Sequence, residues 1–318
     1  MIGFLLSRSP DVYPFFHPHS PYARSISSLG NGVLLAMLSI LLLVVGLVSY
    51  CVHKFREEPG QPTPTPIYGN VKLEISYTVA FIVILGIISY FSVRAIYASD
   101  PPSQQAADLL IVAHQWWWEV RYPKSGIVTA NEIHVPINQA ERVGFRSADV
   151  IHDFWVPELG RKMDIIPGVE NRTWFSADMP GIYYGRCAEY CGAEHAWMRI
   201  RVIAQTAGDL ARWMQEQETV PAAPTAGLAA EGAKDFQELS CASCHTIAGT
   251  AAHARIGPDL THVASRETIA AGRLDNTPAN LAHWLLEPDL IKPRSKMPNL
   301  HLTRQQQTAL VAYLEGLR

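Results

Sequence analysis

The sequence has few cysteines and no excess of basic residues. Its 318 residues include five cysteines, which are too few and too unevenly spaced for a disulfide scaffold. The formal net charge of −3 excludes nucleic-acid binding based on bulk basicity. The apolar start at residues 2–6 is too short for the core of a signal peptide. A chain of this length is expected to form two or three domains.

Two long apolar runs, at about residues 33–52 and 75–97, lie in the first hundred residues. Each is long enough to cross a hydrocarbon core of ~30 Å as a helix. The Pro-rich stretch 59–70 between them reads as an extended connector. We therefore predict an N-terminal tail over residues 1–28 and a transmembrane hairpin over residues 29–99. The basic residues of the connector favour the cytoplasm for it, which places both termini outside the cytoplasm.

The composition changes after residue 100. Short β-rich runs separated by turn residues fill residues 109–204, a pattern typical of a sandwich or barrel. We assign this domain to residues 100–218, with 11 basic and 16 acidic residues and a net charge of −5. A Pro-, Ala- and Thr-rich stretch, 219–230, is predicted to be a flexible linker with a span of roughly 20 Å.

A cluster of soft ligands lies between residues 187 and 198. Two thiols, an imidazole and a thioether occur in the order Cys187, Cys191, His195 and Met198. Thiolate and imidazole suit copper, zinc or iron, and the thioether favours copper. A structural zinc site is the alternative, and it has no use for Met198. His152 lies in a strand-like run upstream and supplies a second imidazole.

A second motif, Cys241-Ala-Ser-Cys244-His245, is a c-type haem attachment sequence. A thioredoxin-like role would need a surrounding βαβ pattern, which the sequence lacks. Met297 is the only methionine after His245 and is the predicted sixth ligand, since a Met/His haem suits electron transfer. A bis-histidine haem remains the alternative, with these candidate partners: His253, His262, His283 and His301.

These motifs carry a resemblance to two families. Cys-x-Glu-x-Cys-Gly-x-x-His-x-x-Met, preceded by Val-Ile-His-x-Phe-Trp-Val-Pro, resembles the binuclear copper (CuA) site of cytochrome c oxidase subunit II. Residues 231–318 resemble class I cytochrome c. The resemblance implies a multidomain membrane protein with a two-helix hairpin, an all-β cupredoxin sandwich and an all-α cytochrome c domain. It also implies a covalently attached haem c.

The resemblance to subunit II further implies a role for each copper ligand. Cys187 and Cys191 would bridge two coppers, and His152 and His195 would each terminate one of them. Met198 and the backbone carbonyl of Glu189 would be the weak outer ligands.

Three other residues receive roles from the same resemblance. Trp116 would be where electrons reach the copper domain, and core packing is the alternative for this ring. The side chain of Glu189 would reach a magnesium ion shared with the catalytic subunit, unless it is a solvated loop acid. Glu74 would mark a proton path into that subunit, unless it is an ordinary interfacial residue.

The implied function is that of the electron-receiving subunit of a haem-copper oxidase. Electrons would come from a cytochrome c or a cytochrome bc complex and leave to catalytic subunit I, which reduces oxygen and pumps protons. Other oxidase subunits and membrane lipid would be further partners, in a bacterial inner membrane with both redox domains on the periplasmic face. The alternatives are the corresponding subunit of a nitric oxide reductase and a copper-delivery protein.

Overall fold

The computed structural model describes residues 17–57, 59–62, 65–98 and 106–318. The chain forms two compact units, one of residues 24–100 and the other of residues 1–23 and 101–318. Residues 1–16 of the predicted tail lie outside the described residues.

Two helices, α1 (Pro21–Lys54) and α2 (Val71–Ala98), are long and apolar enough to cross a membrane. The first eight residues of helix α1, 21–28, lie within the predicted tail. The reason is local, because the Ser20 hydroxyl accepts from the Ala23 amide and Pro21 suits the first helical position. The polar residues up to residue 28 continue that helix.

His19 and Ser20, just before α1, pack on the β domain, which belongs to the same compact unit. The His19 amide donates to the Glu158 carbonyl at 2.8 Å, and the Ser20 hydroxyl donates to the Leu159 carbonyl at 2.7 Å. Ser20 is buried and His19 is half-buried, so residues 19–23 of the predicted tail belong to the same compact unit as the β domain.

Ten strands form the β domain, in two five-stranded sheets with the orders β3-β2-β1-β5-β8 and β4-β10-β9-β6-β7. Their bounds are β1 Leu109–His114, β2 Trp117–Tyr122, β3 Ile127–Ala130, β4 Glu132–Pro136, β5 Glu141–Ser147, β6 His152–Trp155, β7 Met163–Ile165, β8 Asn171–Phe175, β9 Gly181–Cys187 and β10 Arg199–Gln205. The predicted sandwich is therefore present. All ten strands lie within residues 109–205, close to the predicted range 109–204.

The two sheets enclose one apolar core. Its largest fully buried side chains include Trp118, Phe145, Tyr183, Met198 and Ile200. Met198 and both cysteines of the ligand cluster belong to this core, so the candidate metal site is built into the packing of the sandwich.

Helices and one short hairpin form the C-terminal domain. Their bounds, with the preceding α3, are α3 Ala207–Gln217, α4 Gly227–Glu238, β11 Thr268–Ile269, β12 Leu274–Asp275, α5 Pro278–Leu286, α6 Pro288–Ile291 and α7 Arg304–Glu315. Helix α4 begins at Gly227, inside the predicted linker 219–230. Leu228 and the alanines after it are strong helix formers, so the stretch outside helices shortens to residues 219–226.

Helices α4 and α7 cross closely. A Cβ atom on Gly232 would lie 2.0 Å from the Ala309 carbonyl oxygen, so only glycine permits this approach. Phe236 and Tyr313 meet edge to face beside the crossing, with ring centroids 5.9 Å apart. The two helices line one end of a cavity that faces the β domain.

Candidate redox centres

The ligand cluster occupies the loop between β9 and β10. Strand β9 ends at Cys187, and its neighbour β6 begins at His152 and pairs Phe154 with Cys187. The loop turns back through a short 3₁₀ helix at His195–Trp197 and returns Met198 to the core. The pairing of β6 with β9 thus brings His152, which is distant in sequence, beside the four ligand side chains between residues 187 and 198.

The six predicted ligands converge. The Cys187 and Cys191 sulfurs lie 3.8 Å apart, His152 Nδ1 lies 3.9 Å from the first, and His195 Nδ1 lies 3.7 Å from the second. Met198 Sδ is 3.9 Å from the Cys191 sulfur. The Glu189 carbonyl oxygen is 3.2 Å from the Cys187 sulfur.

This donor set fits two metal ions better than one. Each thiol has its own imidazole and its own weak donor, which is the symmetry that two ions sharing two sulfurs require. Among the described residues, the ligand atoms of His152, Cys187 and Cys191 all lie within 4.8 Å of one another, and His195 stands outside that group. A single tetrahedral zinc would need all four donors around one point.

Hydrogen bonding shifts the pKa values of Cys187 and His152. The Cys191 thiol lowers the pKa of Cys187, against the effect of burial, so Cys187 readily becomes a thiolate. Burial lowers the pKa of His152, but its contacts with Asp149 and Cys187 outweigh that effect and raise it. His152 Nε2 lies 2.8 Å from Asp149 Oδ1, which leaves Nδ1 facing the sulfurs.

Asp149 was not among the predicted site residues. It accepts from the Gln115 amide at 2.7 Å as well as contacting His152, so it links a predicted metal ligand to the residue before the three tryptophans. Its position three residues before His152, inside the same Asp-Val-Ile-His motif, is the signal that could have identified it.

The three consecutive tryptophans have different surroundings. Trp118 is fully buried, and Trp117 stacks on His114 with ring centroids 4.3 Å apart. Trp116 is half-buried, and its indole Nε1 donates to the Cys191 carbonyl at 3.0 Å. A Cβ on Gly192 would lie 3.0 Å from this ring, so a glycine at this position leaves room for the indole against the loop between β9 and β10.

The C-terminal domain encloses a cavity of about 320 Å³ that opens on this tryptophan. Cys241, Cys244, His245 and Met297 line it from one domain, and Trp116 lines it from the other. The sequence left Trp116 either as the point where electrons arrive or as a core residue. In the structure its ring is half-buried and faces the chain's own C-terminal domain.

The residues of this cavity fit a haem. His245 Nδ1 lies 2.7 Å from the Pro258 carbonyl, an acceptor only, so Nδ1 carries the proton and Nε2 is free to bind iron. A Cβ on Gly257 would lie 2.5 Å from the His245 ring, so glycine is needed here. Within residues 106–318, all of them described, Met297 lines the cavity and none of the four alternative histidines does. This favours Met297 as the sixth ligand.

The two domains meet through buried polar contacts. The Glu132 carboxylate, 2% exposed, accepts from the Glu267 amide at 3.1 Å, and from the amide and hydroxyl of Thr268 at 2.9 and 2.7 Å. Arg201 pairs with Glu267, and Ala271 packs against Trp117. These contacts join the two domains directly, in addition to the chain segment that connects them.

Two further predicted roles concern the side chains of Glu189 and Glu74. The Glu189 side chain is exposed, and its Oε1 accepts from the Tyr190 amide at 3.2 Å. Glu74 lies in the first turn of α2, where its Oε1 accepts from the Asn70 amide at 3.2 Å. In the part of the chain that the structure describes, neither belongs to a cluster of metal-binding side chains.

Three family models match the chain. They are described as "Cytochrome C oxidase subunit II, transmembrane domain" over residues 11–95, "Cytochrome C oxidase subunit II, periplasmic domain" over residues 124–205, and "Cytochrome c" over residues 229–318. The matches fall on the two helices, on the sandwich from residue 124 onward, and on the cavity-bearing domain.

Curated relatives match along most of the chain. Cytochrome c oxidase subunit 2 of Alkalihalophilus pseudofirmus is 33% identical over 311 residues, covering 95% of this chain and 90% of that protein. Cytochrome c oxidase subunit 2 of Bacillus subtilis is 32% identical over 312 residues, covering 89% and 87%.

A solved structure matches the sandwich domain. The periplasmic domain of subunit II of cytochrome oxidase (CoxB) of Bradyrhizobium japonicum is 35% identical, covers 36% of this chain and 97% of that chain, and aligns with a TM-score of 0.35. Identity over nearly the full length of two curated relatives, with family matches to all three parts, shows that this chain belongs to the cytochrome c oxidase subunit 2 family, with a copper-binding periplasmic domain and a fused C-terminal cytochrome c domain.

Proposed function

We propose that this subunit receives electrons in its cytochrome c domain and passes them through its copper domain to the oxygen-reducing subunit of a proton-pumping haem-copper oxidase. The observation that carries this proposal is the position of Trp116. Its ring lines the cytochrome cavity, and its indole donates to the carbonyl of Cys191. One side chain therefore touches both candidate centres.

The chain's residues have distinct tasks in this proposal. When bound, haem c and the copper pair supply one-electron redox chemistry. Cys241, Cys244, His245 and Met297 would hold the haem, the two cysteines by covalent attachment. The Pro258 carbonyl orients the His245 ring, which lines the cavity, through its contact with Nδ1.

The copper ligands hold their geometry by burial and hydrogen bonding. Cys187, Cys191, Met198 and His152 are buried in the sandwich core, so little rearrangement is available to them on a change of charge. Cys187 and Cys191 would hold the copper ions as thiolates, together with the imidazoles of His152 and His195, the Met198 thioether and the Glu189 carbonyl. Asp149 holds His152 in the orientation that this requires.

The proposed setting is the bacterial inner membrane, crossed by α1 and α2, with the copper and haem domains on the periplasmic face. The relatives' name, cytochrome c oxidase subunit 2, supports a catalytic subunit and further oxidase subunits as partners. A cytochrome c or a cytochrome bc complex is the proposed donor. The exposed carboxylate of Glu189 is available to share a magnesium ion with the catalytic subunit.

Replacing Trp116 tests the proposed path. In the assembled oxidase, W116L should slow electron transfer from haem to copper by about a hundredfold, because the ring that bridges the two domains is lost. W116F keeps an aromatic ring without the bond to Cys191 and should give a smaller loss. Flash-induced electron transfer, followed at the haem and copper absorption bands, measures both.

Trp213 provides the matched control for this experiment. It is a half-buried tryptophan of the same domain that stacks on His134, and it does not line the cavity. W213L should leave the transfer rate unchanged. A wild-type rate in W116L, with the copper spectrum intact, would show that electrons take another path.

Glu74 has a structural role that competes with its proposed part in proton uptake. Its carboxylate and the Asn70 side chain together cap α2, since Asn70 Oδ1 accepts from the Leu73 amide at 3.2 Å. E74Q keeps a carbonyl acceptor for the cap but removes the titratable group. We therefore expect E74Q to slow oxygen turnover at least about tenfold, with unchanged copper reduction.

An oxygen electrode and stopped-flow copper reduction provide the two measurements for Glu74. N70A weakens the cap alone and should turn over at the wild-type rate. Normal turnover in E74Q together with slow turnover in E74A would assign Glu74 to the helix cap and remove the proton role.

A further inference from the structure

Lys292 of the cytochrome domain is buried against the copper domain. It follows α6, is 5% exposed, and its Nζ donates to the Trp116 carbonyl at 3.0 Å. Burial lowers the pKa of Lys292 to about 8. A lysine is almost never fully buried without a partner that justifies its desolvation. Its partner here is the main chain of the residue that bridges the two centres.

Glu194 and Cys191 lie near Lys292. Glu194 is 1% exposed, and its Oε2 has no hydrogen-bond partner among the described residues. Burial raises the pKa of Glu194, and the charges of Lys292 and Arg273 offset that effect only in part. Glu194 and Cys191 likewise offset only part of the effect of burial on Lys292, so the contact of its Nζ with the Trp116 carbonyl is the feature that defines its position.

Lys292, Trp116 and Cys191 form a continuous chain of contacts. Lys292 binds the carbonyl of Trp116, and the indole of Trp116 binds the carbonyl of Cys191. Holding the main chain at residue 116 limits the directions in which the indole can point. The same lysine lies five residues before Met297, so the loop that carries the proposed axial ligand is fixed to the copper domain at this point.

Simple attraction between domains does not require this arrangement. Lys296, on the same loop, makes such a contact, since its Nζ lies 3.7 Å from Asp149 Oδ2 and its side chain is 55% exposed. An exposed pair of this kind contributes little. Lys292 instead sits in a desolvated position and donates to a neutral carbonyl, where its effect is on orientation.

We propose that Lys292 is a positioning residue for interdomain electron transfer, which holds the Trp116 main chain so that the indole stays bonded to the Cys191 carbonyl and in the cavity wall. This inference rests on the proposed function, because it concerns the rate of the step that Trp116 carries. It does not depend on Lys292 touching either cofactor.

The test compares K292M with wild type in the assembled oxidase. Methionine retains much of the side-chain length and removes the ammonium group. We expect haem-to-copper transfer to slow by about tenfold, since small misplacements of a bridging group reduce rates strongly. Resonance Raman difference spectra against W116F isolate the Trp116 indole, and the vibration that reports its N–H hydrogen bond should show a weakened bond in K292M.

K234M is the matched control, because Lys234 is an exposed lysine of the same domain paired only with Glu238 at 3.6 Å. It removes the same charge and should change neither the rate nor the indole spectrum. Dipolar relaxation of the copper signal by the oxidised haem reports whether the domains remain docked. Docking should persist in K292M.

Each outcome decides the inference. A slower rate with a weakened indole hydrogen bond and intact docking supports it. An unchanged rate, an equal effect in K234M, or a loss of docking in K292M overturns it, the last making Lys292 an anchor between domains. Absence of haem-to-copper transfer in the wild-type protein would refute the proposed function instead, and the indole spectrum would still test the hydrogen-bond claim.

Discussion

Protein in which Cys187 is replaced by serine is expected to lose the copper pair and, with it, electron delivery to the catalytic subunit. Cys187 is the sulfur nearest to His152 and to the Glu189 carbonyl, and it lies 3.8 Å from the Cys191 sulfur. A serine hydroxyl does not ionise at neutral pH and is a hard donor, so it cannot bridge two copper ions. One copper or none should remain.

The expected loss is large because the ligand itself is removed. Changes to outer-shell partners alone reduce metal affinity by about 10–100-fold, so affinity for the second copper should fall by more than about a hundredfold. C191S should behave in the same way, since Cys191 joins His195 and Met198 to the site. Electron paramagnetic resonance and metal analysis on purified full-length protein measure the loss.

Cys51 is the matched control for these variants. It is a free, exposed cysteine in α1, far along the chain from the ligand loop. C51S should keep the hyperfine pattern of one electron shared equally between two copper nuclei. A full complement of metal without any such signal in wild type would identify a d¹⁰ ion such as zinc and overturn the copper assignment.

The ligand set could be predicted from the sequence for a simple reason. Four of the ligands, from Cys187 to Met198, lie within one loop, so their proximity follows from the chain itself. His152 could be added because it lies in a strand and matches the family pattern. The contact of Gln115 with the Cys191 carbonyl was harder to predict, because Gln115 reaches the site only through the pairing of β1 with its neighbours.

The contact between domains could not be predicted from bulk charge. The copper domain carries a net charge of −5, and the cytochrome domain, with nine basic and nine acidic residues from 230 to 318, carries none. Those totals predict no attraction. Docking instead depends on individual contacts, such as Arg201 with Glu267 and Glu132 with Thr268, whose partners lie far apart in sequence. Net charge does not report such local complementarity.

The starts of α1 and α4 differ from the predicted boundaries, and the sequence contains a local signal for each. Ser20 followed by Pro21 is a helix start, and Gly227 followed by Leu228 and alanines is another. Composition alone had placed both stretches in a tail and a linker. Local helix signals were therefore more informative than the average composition at these two places.

Removing the Glu132 carboxylate is expected to separate the cytochrome domain from the copper domain. Glu132 accepts three hydrogen bonds from Glu267 and Thr268, and it lies 3.9 Å from the Arg201 guanidinium. In E132A the Thr268 amide and hydroxyl would be left buried without this acceptor, and Arg201 would lose one of its two acidic neighbours. Removing one partner of a buried charged group costs about 3–5 kcal/mol.

That cost corresponds to a fall of more than about a hundredfold in the equilibrium constant for docking of the two domains, since each 1.4 kcal/mol changes it about tenfold. The stretch 219–226 still tethers the domain, with a flexible span of about 16 Å, so an effective concentration on the order of millimolar remains. The tether alone should therefore sustain only slow transfer. Copper and haem spectra should be unchanged, because Glu132 belongs to neither site.

The decisive experiment combines this substitution with a protease site in residues 219–226. After cleavage, the wild-type domains should stay together on a sizing column and keep the dipolar relaxation of copper by haem, because the buried contacts hold them. Cleaved E132A should separate. E141A is the control, since Glu141 is also a buried glutamate of the copper domain but contacts Gln139 and not the cytochrome domain. If cleaved wild type separates as readily as cleaved E132A, then the linker, and not the Glu132 contacts, keeps the two centres within reach.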